Sequence, residues 1–122
     1  MPVTWSISHD DRLVLAAADG DCSLEDLERY VSALAAAGAM PYRKLFDATY
    51  VTPGTLRLTE LKALAGMIVA VAKGRPVGPG AIVVGSELEQ EMAEVFARTD
   101  VGRALAIFKD RAKAREWLDG RA

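Results

Sequence analysis

The chain has 122 residues, 51% of them hydrophobic, enough for one globular domain that buries roughly two thirds of its unfolded surface. Fifteen Lys and Arg against seventeen Asp and Glu leave a formal net charge of −2, which excludes sequence-wide attraction to nucleic acid or to an anionic membrane. The single cysteine, Cys22, excludes an internal disulfide.

The opening residues alternate. Val3, Trp5, Ile7 and His9 fall on one face and Thr4, Ser6 and Ser8 on the other, the period of a half-buried strand. After Asp10-Asp11, the run Arg12 to Ala18 reads as its partner in a hairpin. Ser23 followed by Asp26 makes a capping box, and Leu24, Leu27, Tyr30, Val31 and Leu34 then lie on one helical stripe that ends near Gly38. Past Pro41, "YRKLF" is a short third strand with Asp47 at its C-terminal end.

Apolar residues at 58, 61, 64, 65, 68, 69, 71 and 72 predict a second helix from Leu58 to Lys73, with Gly74 as the stop. "GRPVGPG" is a loop by composition, and "AIVVG" from Ala81 is a continuously apolar strand suited to the centre of a sheet. Ser86 with Glu89 forms another capping box, opening a helix whose inward stripe is Leu88, Met92, Val95 and Phe96. Ala104 to Phe108 is the last strand and "DRAKAREWL" the last helix. The order ββαβαβαβα predicts an α/β (α+β) domain over 1–122, a single mixed sheet of about five strands with four helices packed on it.

Several residues invite chemistry and find no partners for it. His9 stands beside Asp10 and Asp11, but no second histidine completes a common zinc set and no nucleophile lies nearby, so it reads as a hairpin-tip residue. Cys22 precedes the Ser23 cap, where a helix dipole lowers a thiol pKa, yet no histidine or second cysteine stands at a recognised spacing. The glycines of "GRPVGPG" precede a strand, whereas phosphate-cradling loops lead from a strand into a helix. Glu87, Glu89, Glu91 and Glu94 read as the solvated face and dipole-favoured start of a helix. No catalytic, metal or cofactor-binding set is expected, and the chain is read as a non-enzyme.

Two features remain. The first is the segment Asp47 to Thr55, with Asp47, Thr49, Thr52 and Thr55 as candidate regulatory positions; a phosphate there would add about −1.5 to −2 charges. The simpler reading is a turn, since Thr and Asp bond nearby backbone N–H groups and Pro53-Gly54 punctuates loops. The second is the stretch Leu64 to Ala72, which carries no polar side chain on any face although a helix on a sheet needs only one apolar stripe. Leu64, Met67, Ile68 and Val71 are its candidate contacts: with the rest of the domain on two sides, with a second copy in a homodimer, or with a small apolar ligand.

"DGDCSLEDLERY", the strand end "LFDAT" and "RALAIFKDRAKAREWL" together resemble the SpoIIAA-like family, grouped with the STAS domains of sulphate transporters and anti-sigma factor antagonists. The resemblance implies the mixed-sheet fold above and a regulatory module acting through an as yet unspecified protein partner. It implies too, through the lipid-binding fold with which the family is compared, a carrier of a small apolar ligand as the alternative. Asp47 matches the strand-end aspartate of partner-switching members. No Asp-Ser precedes Gly54, so the resemblance supplies no phosphoacceptor, and Thr49, Thr52 and Thr55 are only neighbours in that loop. At its start the sequence lacks a charged region followed by an apolar core, and its longest uncharged apolar run is about half of the ~20 residues that cross a bilayer. A cytoplasmic protein without membrane insertion is therefore expected.

Overall fold

The computed structural model describes residues 2–98 and 103–121. The elements follow the expected order: β1 (Val3–Ser8), β2 (Leu13–Gly20), α1 (Leu24–Ala36), β3 (Arg43–Val51), α2 (Leu58–Ala72), β4 (Gly80–Val84), α3 (Glu87–Arg98), β5 (Leu105–Phe108) and α4 (Arg111–Asp119). All five strands form one sheet, ordered as in the sequence. β1 pairs antiparallel with β2, as a hairpin must, and the pairs β2–β3, β3–β4 and β4–β5 are parallel, each joined through a helix.

Helices α1, α2 and α3 cover one face of this sheet and α4 the other. The alternation of β3 and β4 sorts their side chains accordingly: Phe46 and Ile82 join the main core with Leu34, Leu64 and Ile68, while Leu45, Ala81 and Val83 pack with Ala114 and Leu118 of α4. Leu118 and Ala114 are fully buried, so a helix of nine residues suffices to seal the back of the central strands.

Local signals explain the element ends. Ser23 Oγ accepts from Asp26 N at 3.1 Å and Asp26 Oδ2 accepts from Ser23 N at 3.0 Å, the reciprocal capping box expected at α1. Asp110 Oδ1 caps α4 by accepting from Ala112 N at 2.8 Å. At α3, Ser86 Oγ accepts from Glu89 N at 3.2 Å, although Glu89 answers to the Ser86 hydroxyl at 3.3 Å and not to its backbone. Helix α2 closes through Lys73, whose φ of 51° precedes Gly74 at 77°.

Two expectations need correction. The third strand does not stop at Phe46: it runs on to Val51, because β2 also runs past Ala18 and, after a register shift, pairs Asp19 with Tyr50 and Gly20 with Val51. Asp47 and Thr49 are therefore strand residues, and only Thr52 and Thr55 lie in the loop. The inward stripe of α3 is also displaced. Phe96 is buried and Met92 packs against the core as expected, but Ala93 takes the other buried position and Leu88 is 46% exposed at the helix start.

Candidate functional site

The three helices leave a gap above the sheet. An apolar cavity of about 190 Å³ lies there, and its floor is Lys44, Phe46 and Ala48 of β3, Gly80, Ile82 and Val84 of β4, and Leu105 of β5. Its walls come from Leu27, Tyr30 and Val31 of α1, Leu61, Leu64 and Ile68 of α2, and Met92, Ala93 and Phe96 of α3. Small residues border the space: Ala48 and Ala93 line it with single methyl groups, and Gly80 makes room for Leu105, whose Cδ2 would lie 2.7 Å from a Cβ at that position. The volume slightly exceeds the ~150 Å³ apolar cavity that stays dry and takes up benzene.

The cavity has two unlike ends. Lys44, Gly80 and Leu105 are register partners across β3, β4 and β5 at the strands' N-terminal ends, and Arg103 lies just before Leu105. Ala48 and Val84 pair at the other end, where Val51 and the loop Thr52 to Leu56 meet Leu88 and Glu89 of α3. From Lys44 to Ala48 the strand advances four residues, about 13 Å at 3.3 Å per residue.

Among the described residues Lys44 is the buried charged residue of the core, 6% exposed. It is the functional candidate that sequence reasoning missed. The available signal was its period-2 placement with Phe46 and Ala48, which puts a lysine on the same inward face as two apolar residues. Its Nζ donates to Met40 O at 2.5 Å and to Tyr42 O at 2.7 Å. Burial, together with the neighbouring positive charge of Arg103, pulls its pKa from 10.5 down to about 7. Arg103 itself donates from Nη1 to Gly78 O at 3.5 Å.

At the opposite end Glu89 keeps Oε1 on the Ser86 hydroxyl, while its Oε2 is buried with no hydrogen-bond partner among the described residues. Gly85 precedes this turn because nothing larger fits: a Cβ there would lie 2.2 Å from Thr49 O.

The candidate regulatory positions divide between the two faces of the sheet. Asp47 sits behind it, where Oδ1 accepts from Thr49 N and Oγ1, and Oδ2 accepts from Arg111 Nη1 of α4. Burial works against ionisation of this carboxyl, and the bonds from Thr49 and Arg111 outweigh it, holding the pKa below the usual carboxylate value. Thr52 and Thr55 line the cavity. Their loop is a braced turn: Thr52 N donates to Gly20 O at 2.8 Å and Thr55 Oγ1 to Thr52 O at 3.0 Å.

The second helix divides as well. Leu64 and Ile68 are buried and line the cavity, whereas Met67 and Val71 are partly buried against the core beside it. The outward strip is Ala63, Gly66, Val69 and Ala70, with Val69 53% exposed. Cys22, 2% exposed, also lines the cavity, and burial with the nearby Asp26 charge pushes its thiol up to about 11, opposite to activation by a helix start. His9 Nδ1 lies 2.7 Å from the Tyr42 hydroxyl at the hairpin tip, a contact that fastens the hairpin to the start of β3. No helix among the described residues is long and apolar enough to cross a membrane.

No family model matches the chain, and no curated protein matches it. A solved structure does: an uncharacterised protein of the DUF3478 family with a SpoIIAA-like fold, from Shewanella loihica, at 24% identity over 95% of this chain and 91% of that one, with a TM-score of 0.63. The likeness extends over nearly the whole length of both chains, sheet and covering helices together. The chain thus has a SpoIIAA-like fold.

Proposed function

We propose that this chain is a non-enzymatic binding module that holds a small apolar ligand between its sheet and helices α1, α2 and α3. The observation that carries the reading is the cavity, about 190 Å³ of space walled by Leu, Ile, Val, Phe and Met side chains. An apolar ligand there removes water from apolar surface at roughly 25 cal/mol per Å² without requiring the protein to reorganise. The only thiol in the cavity is Cys22, and a pKa of about 11 keeps it protonated at neutral pH, which supports binding over covalent chemistry.

A neutral probe tests this. Titration with 1-hexanol, followed by methyl NMR, is expected to shift Leu64, Ile68 and Ile82 and to leave Val14 on β2 unmoved. Shifts spread over the surface, or none up to the solubility of the alcohol, would remove the reading.

A protein-contact role has its own support in Tyr50. This ring is 77% exposed on β3, next to the loop that borders the cavity, and aromatic side chains anchor interfaces. Asp47, tied to α4, would not take part directly; Thr52 and Thr55 border the same surface. Comparing the partners retained by the wild type and by Tyr50→Ala, alongside light scattering against concentration for a homodimer, tests it. Identical retention with a monomer at every concentration would set the protein-contact role aside.

A further inference from the structure

We propose that the cavity selects a small amphipathic anion, an apolar body carrying one carboxylate, with the charge held at Lys44 and the body laid along β3 and β4 toward Val51 and Leu56. This rests on the reading that the cavity takes a ligand, and adds which chemistry it takes and in which direction.

The first support is an unbalanced charge. Lys44 is buried in the apolar floor, and no carboxylate pairs with it among the described residues. Its ammonium has three donors, and the carbonyls of Met40 and Tyr42 take two of them. One N–H remains for a ligand. A buried charge is costly unless an opposite charge and hydrogen bonds accompany it, so an anion bound here gains more than it would beside an exposed lysine.

The second support is the polarity of the cavity. Among the described residues, the charged and titratable groups lining it are Lys44 on β3, Cys22 and Tyr30 at α1, Glu89 on α3 and Arg103 before β5. Among the described residues Lys44 and Arg103 stand at the N-terminal end of the strands and the carboxyl group of Glu89 at the other, the two ends being marked on β3 by Lys44 and Ala48, about 13 Å apart along the strand. An anionic head is drawn to the first end and repelled from the second, which fixes the orientation of the body between them. The volume leaves room for a body of about the size of a benzene ring, which argues for a compact carboxylate over a bulky phosphate head.

The charge of Lys44 also makes the binding depend on pH. Cys22 and Tyr30 are both pushed upward by burial and stay neutral near pH 7, whereas Lys44 loses its proton as pH rises through about 7. A carboxylate ligand is ionised well below that. Its affinity therefore falls as pH increases above 7, and the affinity of a neutral ligand does not.

The test is a matched pair, hexanoate and 1-hexanol, titrated by NMR against the wild type and Lys44→Met. The expected result at pH 6.5 is at least tenfold tighter binding of hexanoate by the wild type, an advantage lost in Lys44→Met while hexanol still binds. Between pH 6 and 8.5 the hexanoate affinity of the wild type should drop about tenfold or more and that of hexanol should stay level, a series that needs no variant. Equal binding of the two ligands, or a hexanoate affinity flat with pH, overturns the anion proposal and leaves the apolar-ligand reading standing. Binding of neither removes both.

Discussion

Arg111 on α4 and Asp47 on β3 are joined across the back of the sheet, Nη1 to Oδ2 at 3.1 Å, with Asp47 shielded and Arg111 half in solvent. The pair fastens the last helix to a central strand, and Thr49 holds the other carboxylate oxygen. The folded-state pKa of Asp47 is lowered, so its contribution to stability is fully present above the unfolded value of 3.8 and is lost as pH falls through the folded value. Asp47→Asn is expected to cost about 1–2 kcal/mol at pH 7 and to narrow its gap from the wild type in the acid limb below pH 4. Urea unfolding at both pH values measures this, and a gap that widened on acidification would contradict the assignment.

Lys44 has the opposite sign. Its folded pKa of about 7 lies below its unfolded 10.5, so between those values the unfolded chain binds the extra proton and stability rises with pH. Above pH 9 the raised pKa of Cys22 works against that rise, leaving pH 7 to 9 as the clean window. The wild type should gain on the order of 1–2 kcal/mol across it relative to Lys44→Met. Parallel slopes for the two proteins would mean that Lys44 is solvated in solution.

The order of elements was legible because each carries a local device: the Ser23–Asp26 box, the alternation of Val3, Trp5 and Ile7, the stop at Gly74. The end of β3 was not legible, because its last residues, Tyr50 and Val51, are extended by pairing with Asp19 and Gly20 of a strand 31 positions earlier, and turn formers such as Thr49 and Thr52 mask the pairing in the sequence. Of the α2 residues singled out in the sequence, Leu64 and Ile68 line the cavity, Met67 and Val71 pack beside it, and Val69 faces outward. What no single segment encodes is the gap itself, bordered by the small side chains of Ala48 on β3 and Ala93 on α3.

Two adjacent residues of α2 separate its faces. Ile68 is 4% exposed and Val69 53%. Ile68→Ala should cost about 2–5 kcal/mol, toward the low end because the cavity already borders it, and Val69→Ser less than ~0.5 kcal/mol. A large loss at Val69 would show that its face is covered in solution, as in a homodimer.

Cys22 reports on closure of the fold. Its pKa of about 11 against an ordinary 9.0 makes the thiolate about a hundredfold scarcer at neutral pH, and its 2% exposure slows attack further. Alkylation by iodoacetamide at pH 8 is expected to run more than a hundred times slower in the native protein than in urea. Labelling at comparable rates would mean that the wall of the cavity at α1 opens readily.

Ala93 is buried on α3 and faces the cavity, so Ala93→Leu adds three carbon atoms to existing space. Filling an apolar void stabilises by about 0.5–2 kcal/mol when the new side chain finds room, and an overpacked site loses about 1–3 kcal/mol instead. The expected outcome is a higher Tm together with loss of hexanol binding. That opposition follows from one physical cause: the space that destabilises the empty fold is the space a ligand uses. A variant that gained stability and still bound hexanol as the wild type does would place the ligand elsewhere, and one that lost both stability and binding would show the helix seated closer to the sheet than the cavity requires.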